Sequence, residues 1–521
     1  MKSILILGAG VMQIPAIRAS RRLGLRVIVA DANDRAPGIE LADEFLHIDL
    51  KDRAGLAAAA ADLKSRTGLD AVFTAGTDFS SSVSWVAQEV GLPGTPFDAA
   101  MRATDKAVMR EALDQAGINV PRYASFTERE LESTTSANLE SRLALPVVVK
   151  PVDSMGARGV VRADEWDDVL RLARDAVAYS RTGRAIIEEY IDGPEFSLDA
   201  LVYGTEVRVT GIADRHIEYP PYFIEIGHTI PTQIDRDLRA RIEREFAVAV
   251  RALGLGPGAA KGDIKWSHGK VVIGEIAARL SGGYMSGWTY PFSSGVTLTE
   301  HAIKLALGEP LGRLSEPFER TSAERAVLSI PGLVAEVLGL ESARELAEVE
   351  AVFQTRFPGD PVVFPRNNVE KASNIISASD SRDSAIASAE AGVSAVLVRL
   401  RPGNEETDRF LFGTAEEASA DGRNGAYSAY PWASVLEGSG TAPRRHASEM
   451  GPVTLWAPDE AADRDWSYRT ASQSVEVARR ATHRELLLRS GSVPTDPTEL
   501  YYSRALARGG AQGLVYALDS A

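Results

Sequence analysis

Short apolar runs alternate with amphipathic segments over the first hundred residues of the chain. Residues 3–7 (SILIL) and 26–30 (RVIVA) are apolar runs bounded by glycine, and apolar residues recur at helical spacing between them. The alternation continues with one helix predicted near 52–66 and another near 80–90. Because strands that alternate with helices form parallel sheets, residues 1–103 are predicted to be an open α/β domain on a parallel sheet.

The pattern changes after this first domain. A helix is predicted to begin after Thr104 or Asp105 and to end at Gly117, because a capping residue precedes its apolar face and a glycine follows it. Strands and turns are predicted to dominate from there to about residue 290.

The C-terminal part of the chain predicts two different kinds of structure. Residues 323–411 repeat a strand and helix order, with residues 380–391 as the clearest helix, and predict a small α+β domain. Residues 412–450 are rich in Ala, Ser and Gly without any period, which is typical of a linker. Beyond it one helix is predicted at about 470–489, and no catalytic motif is found in the tail.

Composition narrows the class of protein. A chain of 521 residues predicts three or four domains, and hydrophobic and charged fractions of 45% and 25% are those of an ordinary soluble protein. The net charge of −15, without a basic cluster, argues against a nucleic-acid partner. The absence of cysteine excludes disulfides, thiolate catalysis and cysteine-bound metals. No apolar run approaches the ~20 residues of a membrane helix, so no membrane association and a cytoplasmic location are expected.

A glycine-rich turn follows the first strand. Gly8 and Gly10, with Asp31 at the end of the next strand, would suit a nicotinamide dinucleotide. Gln13 replaces the third glycine of that fingerprint, which favours the alternative of a tight turn in a parallel sheet.

A lysine on a buried strand precedes a second glycine-containing loop. In residues 145–160 (LPVVVKPVDSMGARGV) the strand carries Lys150, and Gly156 and Gly159 follow in the loop. A lysine on a rigid strand can neutralise a phosphate, and the loop can lay backbone N–H groups over a polyphosphate. Taken alone, the segment could also be a strand that ends in a solvated lysine.

An apolar strand then runs into an acidic turn. Residues 185–202 (AIIEEYIDGPEFSLDALV) could present backbone groups to an adenine edge, while Glu195 could bind both ribose hydroxyls. Surface charge is the alternative for each acidic residue.

Residues 262–283 (GDIKWSHGKVVIGEIAARLSGG) predict a β-hairpin whose turn contains His268-Gly269. If the loop is three residues long, Asp263 and Glu275 lie opposite each other on one face, and a shift of one residue would separate them. Two adjacent carboxylates repel unless a cation lies between them, and oxygen ligands without Cys or His suit Mg²⁺. A plain exposed hairpin is the alternative.

In this order, the segments resemble the ATP-grasp superfamily over roughly residues 1–410. The resemblance implies an α/β and α+β multidomain protein with an ATP-grasp fold and an N-terminal Rossmann-like pre-ATP-grasp domain. It implies an ATP-binding domain at 104–322 with a mobile lid subdomain at about 122–190. Residues 323–411 resemble a small α+β C-terminal lid domain, and residues 412–521 are a linker and extension without an assigned role.

The segments TDKAVMREALDQAGINVPRY (104–123) and EEYIDGPEFS (188–197), the latter similar to D-alanine–D-alanine ligases, carry the nucleotide part of the resemblance. It implies Mg²⁺, for which Mn²⁺ could substitute, on Asp263 and Glu275, and a catalytic role for Arg279 where negative charge develops. The implied ATP contacts are Lys106, Lys150, Ser154, Gly156, Ala157, Glu188 at the adenine amino group, Glu189 and Ile191 through their backbones, and Glu195 at the ribose.

Within the superfamily, FIEIGHTIP (223–231) and EIAARLSGG (275–283) resemble bacterial L-amino-acid ligases. The sequence departs from many relatives at Ala277, where asparagine is common, and at Lys261, where histidine is common. The implied substrate contacts are Glu225, His228, Lys261, Arg279, Ser281 and Gly282.

The expected activity is an ADP-forming carboxylate–amine ligase that converts a small carboxylate, such as an amino acid, to an acyl phosphate and couples it to an amine. Its partners would be small molecules, and a homodimer is possible. The rival hypotheses are a formate- or bicarbonate-activating ATP-grasp enzyme, an NAD(P)-dependent oxidoreductase and a non-catalytic nucleotide sensor.

Overall fold

The chain forms two compact units, of which the first is residues 1–323 with 378–382 and the second is residues 324–377 with 383–521. The computed structural model describes residues 1–314, 319–413, 427–436, 452–458 and 463–521. Most of the predicted linker, 412–450, therefore lies outside the described residues. Within the described ranges, no helix is both long and apolar enough to cross a membrane.

The first unit begins with a four-stranded parallel sheet in the order β3-β2-β1-β4. Its strands are fully or largely apolar because helices cover both faces, which confirms the predicted Rossmann-like domain. The sequence did not predict β3, which has only four residues, all partly exposed. The elements are β1 (Ser3–Leu7), α1 (Ile14–Arg22), β2 (Arg26–Asp31), β3 (Glu44–His47), α2 (Arg53–Arg66), β4 (Ala71–Phe73), α3 (Ser80–Glu89) and α4 (Phe97–Arg102).

A four-stranded antiparallel sheet in the order β5-β8-β6-β7 follows. Its elements are α5 (Lys106–Gln115), β5 (Tyr123–Thr127), α6 (Glu128–Ser133), α7 (Ser136–Glu140), β6 (Val147–Pro151), β7 (Val161–Ala163), α8 (Trp166–Tyr179) and β8 (Arg184–Glu189). The helix predicted after Asp105 is α5, and the Asp105 side chain caps it.

Five neighbouring strands, in the order β13-β12-β9-β10-β11, form the central sheet of this unit. The elements are β9 (Glu195–Tyr203), β10 (Glu206–Glu218), β11 (Ile224–Ile230), α9 (Arg236–Ala252), β12 (Gly258–Ser267), β13 (Lys270–Ala277), α10 (Tyr290–Ser294) and α11 (Leu298–Ala306).

The prediction that strands and turns dominate up to residue 290 is wrong at two long helices, α8 and α9. Each buries one apolar face, formed in α9 by Ile242, Phe246, Ala249 and Val250. These positions have the helical period, so the signal was present in the sequence but was outweighed by the adjacent strand patterns.

The hairpin β12-β13 pairs Asp263 with Glu275, as predicted, but by a different route. Ser267 pairs with Lys270, so the turn has two residues instead of three. A β-bulge between Asp263 and Ile264, with Gly274 as the extra residue, shifts the register by one and restores the pairing. A Cβ at Gly274 would lie 3.1 Å from the Asp263 carbonyl oxygen, so glycine suits this close approach.

The second unit contains the strands and the helix predicted between residues 323 and 411. Its elements are β14 (Thr321–Val327), β15 (Gly332–Leu338), α12 (Leu340–Arg344), β16 (Val349–Gln354), β17 (Pro361–Val362), β18 (Ser373–Ser379), α13 (Arg382–Ala395), β19 (Leu397–Leu400), α14 (Glu405–Phe412), β20 (Val453–Trp456), α15 (Ala471–Thr482), β21 (Leu486–Arg489) and α16 (Pro497–Asp519). Strands β17-β15-β19 are antiparallel, as are β16 and β18, whereas β20 and β21 are parallel. The chain passes between the units three times, within β14, within β18 and at the start of α13.

The C-terminal helix α16 belongs to the interior of the second unit. Gln512 accepts a hydrogen bond from the Ile330 amide (3.0 Å) and donates one to Ser329 Oγ (2.8 Å). Asp519 forms an ion pair of 2.7 Å with Arg399. The tail after residue 412, in which the sequence predicts one helix at about 470–489, therefore also supplies α16, which is kinked at Gly510, and packs with the preceding domain.

Candidate active site

Helix α5 delivers Lys106 to the junction of a loop and the hairpin. The Lys106 Nζ donates to the Ser154 carbonyl oxygen (2.7 Å) and lies 3.5 Å from Glu275 Oε1. The backbone N–H of Lys106 donates to the carbonyl oxygen of Val152 (2.8 Å), which fixes the start of the helix against the strand. Lys106 and Glu275, predicted as ATP and metal ligands, are therefore neighbours.

Lys150 lies on β6 beside the carboxylate of Glu188 on β8. The distance from Lys150 Nζ to Glu188 Oε2 is 2.7 Å, and Arg110 Nε donates to Glu188 Oε1 (2.8 Å). Burial alone would raise the pKa of Glu188, but the charges of Arg110 and Lys150 lower it to about 2. Burial, with help from Arg110 and Lys106, lowers the pKa of Lys150 in spite of Glu188. Positive charge is therefore in excess at this end of the site.

The loop after β6 has several residues in the left-handed region. The φ angles of Gly156, Ala157 and Gly159 are 68°, 61° and 70°. A Cβ at Gly159 would lie 2.9 Å from the ring of Tyr179, so this position requires glycine. The Ser154 hydroxyl donates to the Tyr179 carbonyl oxygen (2.8 Å), so its side chain holds the loop to α8.

In the predicted adenine segment, the side chain of Glu189 contacts residues just before β5 and before β6. Its carboxylate accepts from Arg122 Nε (2.9 Å) and from the Ala144 amide (2.8 Å), and its backbone N–H donates to the Arg122 carbonyl oxygen (3.0 Å). A contact between Glu189 and adenine would therefore use its carbonyl oxygen alone. Ile191, the other predicted backbone contact, is half-buried after the end of β8.

Arg215 on β10 connects three residues to which the sequence assigns three different roles. Its guanidinium contacts Glu195 and lies 2.6 Å from Glu225 Oε2 and 3.2 Å from Asp263 Oδ2. Although burial opposes it, the three carboxylates raise the pKa of Arg215 well above its ordinary value. Sequence reasoning missed this residue, because nothing local marks an arginine in a long strand as a shared counter-ion.

The two predicted metal ligands have different surroundings. Asp263 accepts a hydrogen bond from Ser197 Oγ (2.9 Å) and also contacts Lys261. Burial favours protonation of Glu275, but the charges of Lys106, Lys261, Lys150 and Arg279 hold its pKa well below the usual range. In the described part of the chain, no group of three or more His, Cys, Asp or Glu side chains could hold a metal ion. A divalent cation on this pair would take its remaining ligands from phosphate oxygens and water, which suits Mg²⁺.

Arg279 follows β13 and is more than nine-tenths buried. Its Nη1 donates to the Leu280 carbonyl oxygen (2.9 Å), and its Nη2 lies 3.3 Å from the Met155 sulfur. Its Nε is buried and has no hydrogen-bond partner among the described residues. A buried N–H on a charged group carries a large desolvation cost, so an acceptor is expected beside it.

The segment after Arg279 is fixed from two sides. Asp199, fully buried on β9, accepts from the Ser281 amide (2.8 Å) and from Ser286 Oγ (2.6 Å). Gly282 approaches the backbone of Gly76, and a Cβ on it would lie 3.5 Å from the Gly76 Cα. Asp199 is a further residue that sequence reasoning missed.

His228 is part of the predicted substrate segment 223–231, on β11, and is buried. Its Nε2 is 2.7 Å from Thr289 Oγ1, and its Nδ1 is 3.8 Å from Glu225 Oε1. The structure therefore brings the predicted substrate residues Glu225 and His228 together.

The glycine-rich turn after β1 is filled by the protein itself. Gln13 is buried, and its Nε2 donates to the Ala75 carbonyl oxygen (2.6 Å). A Cβ on Gly8 would lie 3.0 Å from the Gln13 side chain, and Asp31 accepts from the Ala9 amide (2.7 Å). Gln13 thus occupies the space at this turn, as expected of a tight turn in a parallel sheet.

Asp78, just after β4, fastens the glycine-containing loop to the N-terminal domain. It forms ion pairs with Arg158, in the loop, and with Arg181 (3.1 Å), just after α8. The three residues are far apart in sequence, so no local pattern indicated the contact.

Two segments of the chain match models of known protein families. Residues 143–287 match the ATP-grasp domain, and residues 326–401 match the L-amino acid ligase C-terminal domain 2. The uncharacterized protein y4rH of Sinorhizobium fredii (strain NBRC 101917 / NGR234) is 27% identical over 391 residues, which cover 71% of this chain and 77% of that protein.

Solved structures share the fold. The L-amino acid ligase from Bacillus licheniformis superposes with a TM-score of 0.68 and 24% identity, over 77% of this chain and 99% of that chain. Phosphoribosylglycinamide synthetase from Anaerococcus prevotii superposes with a TM-score of 0.60 and 22% identity, over 77% of this chain and 100% of that chain. The chain therefore contains an ATP-grasp domain, followed by a C-terminal domain of the L-amino acid ligase type.

Proposed function

We propose that the protein is an ADP-forming carboxylate–amine ligase that acts on a small carboxylate such as an amino acid. The observation that carries this proposal is the buried Nε of Arg279, which has no hydrogen-bond partner among the described residues and lies beside the segment that Asp199 fixes. The Arg279 guanidinium is held in place by its Nη1 and Nη2 contacts, and its Nε–H group has no acceptor among the described residues. Such a group suits the oxyanion that develops when an acyl group is transferred.

The nucleotide would bind across the two cations Lys106 and Lys150 and under the loop with Gly156 and Ala157. Glu188, Glu189 and Ile191 would lie towards adenine, and Glu195 towards the ribose. Asp263 and Glu275 would hold Mg²⁺, which neutralises charge on the transferred phosphoryl group when bound. Lys261, which contacts Asp263, would then be released towards the substrate.

In the first step, a carboxylate oxygen forms a bond to the γ-phosphorus of ATP while the bond to the β,γ-bridging oxygen breaks, giving an acyl phosphate and ADP. Lys106 and Lys150 balance the charge on the phosphates. In the second step, the amine nitrogen forms a bond to the acyl carbon, the bond from that carbon to the phosphate oxygen breaks, and the amine proton passes to solvent. Arg279 stabilises the oxyanion between these events. Closure of the loop would protect the acyl phosphate from water.

The substrate would contact Glu225, His228, Ser281 and Gly282. Glu225 would accept a hydrogen bond from an α-ammonium group, because its Oε1 lies 3.8 Å from the position of a Cβ built on Gly283, next to the segment of Ser281 and Gly282. This favours an amino acid over formate or bicarbonate, neither of which carries a cation.

The test is ADP release measured with Mg·ATP against a matrix of amino acids supplied singly and in pairs, with formate and bicarbonate as separate arms. We expect release that requires an amino acid and a second amine, with one peptide or amide bond formed per ADP. Release driven by formate or bicarbonate instead would identify the rival ATP-grasp chemistry. NAD(P)-dependent stabilisation without any response to ATP would refute the ligase proposal.

A further inference from the structure

Arg110 is a fully buried arginine one helical turn after Lys106 on α5. Its Nε and Nη2 donate to the two carboxylate oxygens of Glu188 at 2.8 and 3.3 Å, and Nη2 also donates to the carbonyl oxygen of Gly274 at 2.5 Å. It thereby joins β8 of the four-stranded antiparallel sheet to the bulge of the hairpin β12-β13.

Arg110 and Lys150 share the carboxylate of Glu188, and this sharing determines how much of the Lys150 charge remains to attract a ligand. The Lys150 ammonium lies 2.7 Å from Glu188, and a buried lysine and glutamate alone would form a neutral pair. Because Arg110 also binds Glu188, the three side chains together carry one surplus positive charge. That surplus lies beside Lys106, where the nucleotide phosphates are proposed to bind.

The hydrogen bond from Arg110 to the Gly274 carbonyl oxygen affects the pair of predicted metal ligands, Asp263 and Glu275. Gly274 is the extra residue of the bulge that places Asp263 opposite Glu275. The N-terminus of helix α5 is also fixed to β8, because Asp105 pairs with Arg184 at 2.9 Å. Arg110 therefore holds the bulge against a helix whose N-terminus is itself fixed.

We propose that Arg110 is a positioning residue for a nucleoside di- or triphosphate: it shares Glu188 so that Lys150 keeps a net charge for the phosphates, and it holds the bulge that pairs the metal carboxylates. This inference rests on the nucleotide site of the proposed function. It assigns Glu188 a second role, as the counter-ion between two cations.

The experiment compares Mg·ADP with adenosine as calorimetric ligands, because only the former carries phosphates. Arg110→Gln removes the charge but keeps a hydrogen-bond donor, and Arg110→Lys keeps the charge. We expect Arg110→Gln to weaken Mg·ADP binding about 10- to 100-fold with little change for adenosine. Arg110→Lys should retain most of the affinity for Mg·ADP. Arg110→Gln/Glu188→Gln should recover it, because Lys150 is then free of a neutralising carboxylate.

Equal weakening of Mg·ADP and adenosine in Arg110→Gln, or equal behaviour of the Gln and Lys variants, would overturn the inference. If Arg110→Gln does not fold, Glu188→Gln in the otherwise unchanged chain carries the test, since it should tighten Mg·ADP relative to adenosine. An unchanged ratio there would also overturn it. Failure of the unchanged protein to bind Mg·ADP would refute the proposed function itself, and that result is distinct from a failure confined to the variants.

Discussion

The two ends of the candidate site balance their charges in opposite ways. At Glu188, one carboxylate is shared by the two cations Arg110 and Lys150. At Arg215, one guanidinium is shared by three carboxylates, Glu195, Glu225 and Asp263. The first end has a surplus of positive charge and suits a polyphosphate. At the second end, Lys261 and Lys265 also contact Asp263 and Glu195, so the three carboxylates face three cations, and a metal ion or an ammonium group would bind there by displacing a lysine.

This contrast is how a chain with a net charge of −15 would bind the proposed polyphosphate. The attraction is local, because buried charges a few ångströms apart interact far more strongly than surface charges beyond a screening length. The hairpin that carries Asp263 and Glu275 spans both ends, since Glu275 lies among lysines and Asp263 contacts Arg215. Substitutions at each end should therefore affect different ligands.

The largest expected effect is on turnover, at Arg279 between the two ends. Arg279→Ala should reduce turnover by about 10²- to 10³-fold and leave the affinity for ATP nearly unchanged, because the charge acts on the developing oxyanion. Steady-state kinetics with the identified substrate pair and calorimetry with ATP measure the two quantities. Arg279→Lys should rescue poorly, since an ammonium lacks the planar fork. A variant that mainly lost ATP affinity would move Arg279 into the binding site for the nucleotide.

The next effect concerns the carboxylate pair. Mg·ADP should raise the melting temperature, and at a hundredfold excess over its dissociation constant the stabilisation is about 2.7 kcal/mol. EDTA should remove most of this gain, and Asp263→Asn/Glu275→Gln should remove the magnesium-dependent part. Glu341→Gln, at an exposed carboxylate of the second unit, is the matched control. Equal stabilisation by ADP with and without a divalent cation would contradict the metal assignment.

A smaller effect, on the Michaelis constant for ATP, is expected at the end of the site around Arg215. Glu195→Ala should raise the Michaelis constant for ATP about 10-fold while turnover is nearly kept, because ribose contacts are made equally in the ground and transition states. Arg215 would retain Glu225 and Asp263, and Lys265, which also pairs with Glu195, would keep its contact with the Tyr190 ring. Glu206→Ala, at the exposed start of β10, serves as the control. A fall in turnover with an unchanged Michaelis constant would show that Glu195 acts on the chemistry instead.

The sequence predicted what is local and missed what is distant. The parallel sheet, α5 and the pairing of Asp263 with Glu275 follow from periods, caps and turn residues that lie close together in the chain. Even there the pairing arises from a two-residue turn plus a bulge at Gly274, which the letters alone do not distinguish from a three-residue loop. The assigned roles of the site residues themselves stay predictions.

The buried cations could not be predicted, because their partners are distant or ambiguous. Arg110 and Glu188 are 78 positions apart, and an arginine on an otherwise amphipathic helix is usually a solvated residue. Arg215 lies in a strand with several charged neighbours, so the sequence does not show which carboxylates it binds. An arginine at a position where the helical period requires an apolar side chain is the one signal that could have indicated Arg110.

The smallest effect is expected where the positive end is fastened to the N-terminal domain. Asp78 pairs with Arg158 and Arg181, whose side chains are 38% and 40% exposed, and such partly exposed pairs contribute about 0.2–1 kcal/mol each. Asp78→Asn should therefore raise the Michaelis constant for ATP only about 2- to 5-fold, by loosening the loop that covers the phosphates. The difference from the unchanged protein should shrink at high salt, because the pairs are screened.

Limited trypsin cleavage after Arg158 gives an independent measurement: it should be faster in Asp78→Asn, and saturating Mg·ADP should slow it in both proteins. Asp62→Asn, which breaks an exposed ion pair on α2, is the matched control. If Asp78→Asn cut turnover as severely as Arg279→Ala, the ion pairs would have to act on the reacting groups, and the division between a binding end and a catalytic centre would fail.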